Sequence, residues 1–230
     1  MRANNRVAAL TLILYFVTAA SFPKGIRAKE EVVNLPDHDR TGSVTLERAL
    51  SERRSVRDFQ DTPIDIETVS QLCWATQGIS EESRQLRTAP SAGGQYGLDT
   101  YIAVGNVNGL DAGLYRYAPG GHELVLQEHG DIRLSIAEAA LGQQWIADAP
   151  VVFLIVGVPE RLAYPYRDRA ERYTLLEAGH AAQNLALQAV ARALATTVVG
   201  AFSDSELREL LGVPERHVPL YVIPVGSPAQ

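Results

Sequence analysis

The sequence predicts an α+β fold, a mainly antiparallel sheet flanked by helices, and three observations carry that prediction. Short β-branched runs recur along the chain, two helical segments precede a group of three strands without alternating with them, and one long alanine-rich stretch keeps three- and four-residue apolar spacing. No internal repeat or low-complexity linker divides the chain, so the elements form one domain.

Taken in order, Thr45 can cap a short helix running through Arg54. Asp65 can cap a second, where Ile66, Val69, Leu72 and Cys73 recur at helical spacing up to Gly78. Leu98 to Val104 alternates as a strand; Gly113 to Tyr117, the turn Pro119-Gly120-Gly121, and His122 to Gln127 read as a hairpin. Val151 to Val158 is a continuous apolar run suited to a strand buried on both faces. Tyr173 to Leu194 is the longest helical pattern, and Thr196 to Ala201 reads as a short strand. Ser203 with Glu206 forms a capping box opening a helix that ends at Gly212, and Pro219 to Val225 is the last strand.

Composition narrows the function. The 230 residues are 46% apolar and 21% charged, which excludes disorder, collagen and coiled coil. Acidic residues outnumber basic ones 27 to 21, for a net charge of −6, so nothing attracts the chain to nucleic-acid phosphates. A single cysteine forms no internal disulfide, and no Cys or His spacing matches a zinc site.

Residues 1–20 are expected to be a signal peptide. Arg2 and Arg6 precede an apolar run from Val7 to Ala20 of about 14 residues, short of the roughly 20 that span a bilayer, ending in small residues. The expectation is export to the periplasm or outside the cell; an uncleaved segment would be the only membrane attachment, with a cytoplasmic protein as the other alternative. Residues 21–43 are polar and read as an extended arm, with the domain proper at 44–230.

Two clusters suit a phosphate-bearing ligand. Arg53-Arg54-Ser55-Val56-Arg57 sets three guanidinium forks and a hydroxyl at a helix end, a match to phosphate geometry that solvated cations at a helix C-terminus would also produce. Thr88-Ala89-Pro90-Ser91-Ala92-Gly93-Gly94-Gln95 can bring backbone amides close to a flat or anionic group, and could equally be a surface turn. No G-x-G-x-x-G, P-loop or G-x-S-x-G is present. Glu177-Ala178-Gly179-His180 is one E-x-x-H where a di-iron site needs two, so His180 reads as a hydrogen-bonded helix histidine. Cys73 reads as buried and inert.

Seven segments taken in order resemble the FMN-dependent nitroreductase superfamily, and within it the SagB-type, azoline oxidase-like dehydrogenase branch. They are Arg53 to Phe59, Leu72 to Gly78, Arg87 to Tyr96, Gly113 to Tyr117, Glu177 to Leu185, Val199 to Phe202 and Ile223 to Gly226, spread from about Leu46 to Pro228. The resemblance implies a nitroreductase-like three-layer fold and an obligate homodimer holding two FMN at the subunit interface. It implies cofactor-binding roles for Arg53, Arg54, Ser55 and Arg57 on the phosphate and ribityl chain. Pro90, Ser91, Ala92, Gly93 and Gln95 match the loop that reaches the isoalloxazine from the partner chain, and Gly200 and Ala201 match the backbone near flavin N5.

Two positions depart from that branch. Its Lys-Tyr pair before the long helix becomes Pro165-Tyr166, which argues against azoline oxidation while leaving Tyr166 as the catalytic candidate for proton transfer. Its Tyr-Pro after the glycine loop becomes Tyr96-Gly97, which is expected to loosen the entry to the next strand. The leading function is ping-pong electron transfer through flavin N5, from a small-molecule donor such as NAD(P)H to an organic acceptor such as a nitro compound or quinone. The alternatives are a dehydrogenase oxidising a heterocycle or peptide, and a flavin-binding dimeric module without turnover.

Overall fold

The run Val151-Val152-Phe153-Leu154-Ile155-Val156 has no polar side chain to place in water, and it lies at the heart of the molecule. In the computed structural model, which describes residues 31–229, the elements follow in this order. They are β1 (Val32–Asn34), α1 (Leu46–Glu52), β2 (Ile64–Asp65), α2 (Ile66–Gln77), β3 (Ile79–Glu81), β4 (Leu86–Arg87), β5 (Leu98–Val104), β6 (Val107–Asn108), β7 (Gly113–Ala118) and β8 (Glu123–His129). There follow α3 (Arg133–Ala139), α4 (Trp145–Asp148), β9 (Val151–Gly157), α5 (Glu160–Tyr166), α6 (Ala170–Ala191), β10 (Ala195–Thr196), α7 (Asp204–Leu211) and β11 (Val218–Gly226). The signal segment expected at 1–20 and the first part of the arm lie outside the described residues.

Seven strands form one sheet in the order β1-β8-β7-β5-β9-β11-β10, and each neighbouring pair is antiparallel. The fold class read from the sequence is therefore observed. β9 is flanked by β5, with Leu98 opposite Gly157 and Val104 opposite Val151, and by β11, with Val225 opposite Val151. Because side chains alternate across a strand, Phe153 and Ile155 face one layer while Val152, Leu154 and Val156 face the other. The first layer is α2 and α6, through Leu72, Cys73, Ala181 and Leu185; the second is α3, α4 and α7, through Ile136, Ile146 and Leu207. Alanines along α6 let this 22-residue helix lie close against the sheet. Cys73 is buried and burial pushes its thiol up, which keeps it a packing group.

Several local expectations change. The arm is not wholly unpaired: Val32–Asn34 adds an edge strand to β8, and Leu35 is buried behind it. Asp65 stands at the N-cap of α2 without capping it, since its carboxylate accepts from the Asn108 side chain at 2.9 Å. The strand expected over Thr196–Ala201 is only Ala195–Thr196 plus an isolated pairing of Val199 with Val222. Thr197 turns its hydroxyl to the Val56 carbonyl, drawing this segment toward the arginine cluster. Ser203 caps α7 through the Glu206 amide, and Gly212 ends it in the left-handed conformation as expected. Helices α3, α4 and α5 were not anticipated.

Candidate functional site

The arginine cluster is placed by the end of α1. The helix stops at Glu52, short of the expected Arg54, because Ser55 and Val56 leave to pair with Thr196; the Val56 amide donates to the Thr196 carbonyl at 3.1 Å. Arg54 turns back on its own helix, donating to the Ser51 and Arg53 carbonyls at 2.7 and 2.8 Å. Arg57 places its guanidinium 5.6 Å from the Trp145 ring centre. Neither Arg53 nor Arg57 has a carboxylate partner among the described residues, and Ser55 is exposed. The pairing of Ser55 with Thr196 brings this cluster beside the segment ending in Gly200 and Ala201, both exposed. Nothing lies within 4 Å of where a Cβ on Gly200 would stand, so the backbone there is open to close approach.

The glycine loop stands at the other end of β5. The Ser91 hydroxyl accepts from the Tyr96 amide at 2.8 Å, and the Gly94 amide closes on the Ser91 carbonyl at 3.1 Å. Gly93 and Gly94 hold φ values of 58° and 66°, which glycine adopts without a Cβ penalty. Gln95 donates its side-chain amide to the Gly93 carbonyl at 3.0 Å, and Pro90, Gly93, Gly94 and Gln95 are exposed. The looser strand entry expected at Tyr96-Gly97 is not found. Gly97 is buried, and Leu162 of α5 packs into the space a Cβ would take, 2.3 Å from that position, so the substitution tightens contact with α5.

The structure brings Tyr166 to this loop. It ends α5, immediately after the exposed Pro165, and its hydroxyl would lie 2.6 Å from a Cβ on Gly93. Its ring meets Tyr173 edge-on with centroids 5.0 Å apart. Beside them is a cleft of about 200 Å³ lined by Pro90, Ser91, Tyr173, Leu176, Glu177 and His180. Four of these, Tyr173, Leu176, Glu177 and His180, are not among the site residues read from the sequence. Glu177 is 2% exposed and neither of its oxygens has a hydrogen-bond partner of good geometry. Burial pushes its carboxyl up, opposed by the nearby Ser91 hydroxyl, the Gly97 amide, Arg87 and His180. Tyr173 follows from the helical period of α6, but its facing the loop depends on the turn at Arg167, whose φ is 48°. His180 is exposed, and no hydrogen bond engages its ring among the described residues, contrary to the hydrogen-bonded role expected of it. Among those residues no group of His, Cys, Asp and Glu could hold a metal.

The two clusters therefore occupy different parts of one chain, and no hydrogen bond joins them among the described residues. One offers unpaired guanidinium groups for a phosphate; the other offers an exposed glycine backbone, a tyrosine hydroxyl and a dry carboxyl for a flat ring.

Comparison with known proteins gives the class. The family model described as Nitroreductase family matches residues 50–227. The nitroreductase-like protein MJ1384 of Methanocaldococcus jannaschii is 40% identical over 194 residues, spanning 84% of this chain and 95% of that one. The crystal structure of a nitroreductase-like protein from Ralstonia eutropha JMP134 superposes with a TM-score of 0.77 at 30% identity, covering 86% of this chain and 90% of that one. The Escherichia coli microcin synthetase complex contains a chain of the same fold, with a TM-score of 0.67 at 21% identity over 83% of this chain and 76% of that one. Fold and comparisons together define an oxidoreductase. The chain belongs to the nitroreductase family.

Proposed function

We propose that the protein is an FMN-dependent oxidoreductase whose flavin lies between the arginine cluster of one chain and the glycine loop of a second copy, and which passes electrons from a small donor such as NAD(P)H to an organic acceptor such as a nitro compound or quinone. The observation that carries this reading is the pairing of Ser55 and Val56 with Thr196, which gathers unpaired Arg53 and Arg57 beside the open backbone at Gly200 and Ala201. Arg53, Ser55 and Arg57 would hold the phosphate and ribityl chain through charge-assisted hydrogen bonds. Arg54 is the weakest member, since its guanidinium is engaged on α1. Bound FMN supplies hydride acceptance and donation at N5.

The chain's own residues then orient and exclude water. Pro90, Ser91, Ala92, Gly93 and Gln95 present backbone and amide to the ring, Gly200 and Ala201 line the reactive edge, and the apolar flank of Tyr173 and Leu176 limits solvent. Two copies are favoured by the separation of the two clusters and by the exposed leucines Leu46 and Leu50 on α1 and Leu175 and Leu176 on α6, large apolar groups that a second chain would cover. Export through residues 1–20 would require FMN to be acquired outside the cytoplasm and a donor other than NAD(P)H.

A second reading rests on Tyr166. Its hydroxyl stands against Gly93, where it could move a proton to or from a heterocycle or peptide substrate lying on the ring.

The test is the visible absorption spectrum of purified residues 21–230 before and after FMN addition, then after anaerobic reduction and addition of an acceptor. The expected result is a bound-flavin spectrum that bleaches and recovers with a nitro compound or quinone. Bleaching of the oxidised flavin on addition of a peptide bearing a dihydro-heterocycle, the electron donor in that reaction, would favour the second reading, and a colourless dimer that takes up no FMN would overturn both.

A further inference from the structure

A second basic region lies behind the glycine loop, away from Arg53–Arg57. A pocket of about 310 Å³ opens between the C-terminal end of α2 and strands β5 and β7, and its walls include Gln77, Arg87, Asp99, Thr100, Arg116 and Arg161. Three guanidinium groups and one carboxylate meet there, in a protein whose overall charge is −6.

The carboxylate is already used. Arg161 binds Asp99 at 2.8 Å and spends a second nitrogen on the Tyr96 and Leu98 carbonyls, both at 3.1 Å. Arg116 has no carboxylate partner among the described residues. Arg87 lies 4.4 Å over the Tyr96 ring and donates through Nη1 to Gln77 Oε1 at 2.7 Å, which fixes the fork and leaves its buried Nε–H unpaired.

That same bond fixes Gln77. Its carbonyl oxygen is committed to Arg87, so its amide nitrogen is left as a donor with no acceptor, although the residue is only 1% exposed. Thr100 is 3% exposed, and its hydroxyl too has no partner. Buried donors of this kind are normally paired, and each orphan costs on the order of its desolvation. The unmet groups here are two N–H donors, a hydroxyl and a free guanidinium, with no unmet acceptor that is not also a donor. Burial and the neighbouring Arg161 also work against the charge on Arg87, only partly offset by Glu177, Tyr96 and Asp99, and an added negative charge would relieve the remainder.

We propose that this pocket is a binding site for a small oxyanion, a carboxylate or phosphate group carrying a small organic remainder, held by Arg87, Gln77 and Thr100, with Arg116 at its rim on the other face of the sheet. A planar or tetrahedral oxyanion has acceptors enough for these donors, and a neutral polar molecule would leave the guanidinium charges uncompensated. The volume sits at the lower end for small-molecule sites. Gln95 and Tyr96 also line the pocket.

The test is calorimetric titration of the whole protein with inorganic phosphate and, separately, malonate, against chloride at matched ionic strength, in the presence and absence of FMN. The expected result is saturable binding of at least one probe, one per chain, unchanged by FMN. Arg87→Gln is expected to weaken it at least tenfold. Thr100→Val, which removes an unpaired hydroxyl at constant shape, is expected to weaken it at least threefold while leaving the ligand-free melting temperature equal or higher. Heats no larger than those of chloride for both probes would overturn the site. So would competition by FMN, which would place the anion on Arg53–Arg57, or binding indifferent to both substitutions.

Discussion

The centre of the sheet and its rim treat their residues in opposite ways. Along β5, β9 and β11 the strands pair continuously but for one bulge between Pro219 and Tyr221, and every residue of β9 is buried, whereas at the rim the chain turns through positive φ at Gly93, Gly94, Tyr96 and Arg167, and among the described residues Arg57 and Arg116 have no carboxylate partner and the Glu177 oxygens no hydrogen bond of good geometry. The centre fixes where the rim segments start and stop. The rim holds the groups that a ligand can complete. Stability and ligand binding should therefore respond to different substitutions, and the separation can be broken or sharpened experiment by experiment.

The largest effect belongs to the centre. Phe153→Ala removes a fully buried ring from the layer under α2 and α6 and should cost about 3–5 kcal/mol of folding free energy in a urea titration, with the FMN affinity of the folded protein preserved. Equal losses of stability and affinity would break the comparison. Arg57→Ala should show the reverse, losing a charge-assisted phosphate contact of roughly 1.5–3 kcal/mol, about a 10- to 150-fold weaker FMN dissociation constant, with an unchanged urea midpoint for the flavin-free protein.

Gly93→Ala tests the rim on both counts. A Cβ at φ 58° costs about 1–2 kcal/mol, and it would also collide with the Tyr166 hydroxyl. The expected outcome is a modest drop in melting temperature with a larger drop in acceptor turnover than in FMN binding; a loss confined to stability would remove Tyr166 from the site.

The smallest effect is in the arm. The Pro36 carbonyl can only accept, so His122 donates to it from Nε2 at 3.1 Å and receives the Tyr117 hydroxyl at Nδ1 at 2.8 Å, with Ser70 also at Nε2 and His38 stacked on Trp74 alongside. Burial favours the neutral ring, in which Nδ1 is the acceptor. Burial lowers the pKa of His122 against the opposing pull of the Pro36 carbonyl and Asp37, and burial together with His122 and Arg40 lowers that of His38. The unfolded arm therefore takes up protons first as pH falls below the ordinary histidine value of 6.5, so the contribution is present above that value and is lost below it. Protection of the Leu35 amide, which donates to the His122 carbonyl, against hydrogen exchange relative to the intrinsic rate at each pH should fall on acidification across that range, and His122→Gln should flatten the dependence.

Much of this arrangement could be read from the sequence where one residue type dictates one backbone. The β-branched run of β9, the alanine face of α6, the turn at Pro119-Gly120-Gly121 and the cap of α7 are of that kind, and arginine and glycine likewise mark the two clusters proposed to form the site. What escaped depends on tertiary partners. β1 is three residues long and is a strand only because β8 has a free edge; α4 is one turn, and α5 carries Pro165 near its end, which masks its helical period. The role of Glu177 was hidden for the same reason, since nothing in E-x-x-H says that its carboxyl will be sealed behind Ser91. Thr196–Ala201 failed as a strand because Thr197 bonds across to Val56, a contact 141 residues away in sequence.

The proposed site holds one flavin between two chains, and a crystal structure of the protein grown with FMN tests this. The expected structure has the phosphate on Arg53, Ser55 and Arg57 of one protomer, with Gly200 and Ala201 of that protomer at the reactive edge and Pro90 to Gln95 contributed by its partner. A flavin contacted by the arginine cluster and the glycine loop of the same chain, or one bound away from Arg57 altogether, would contradict it.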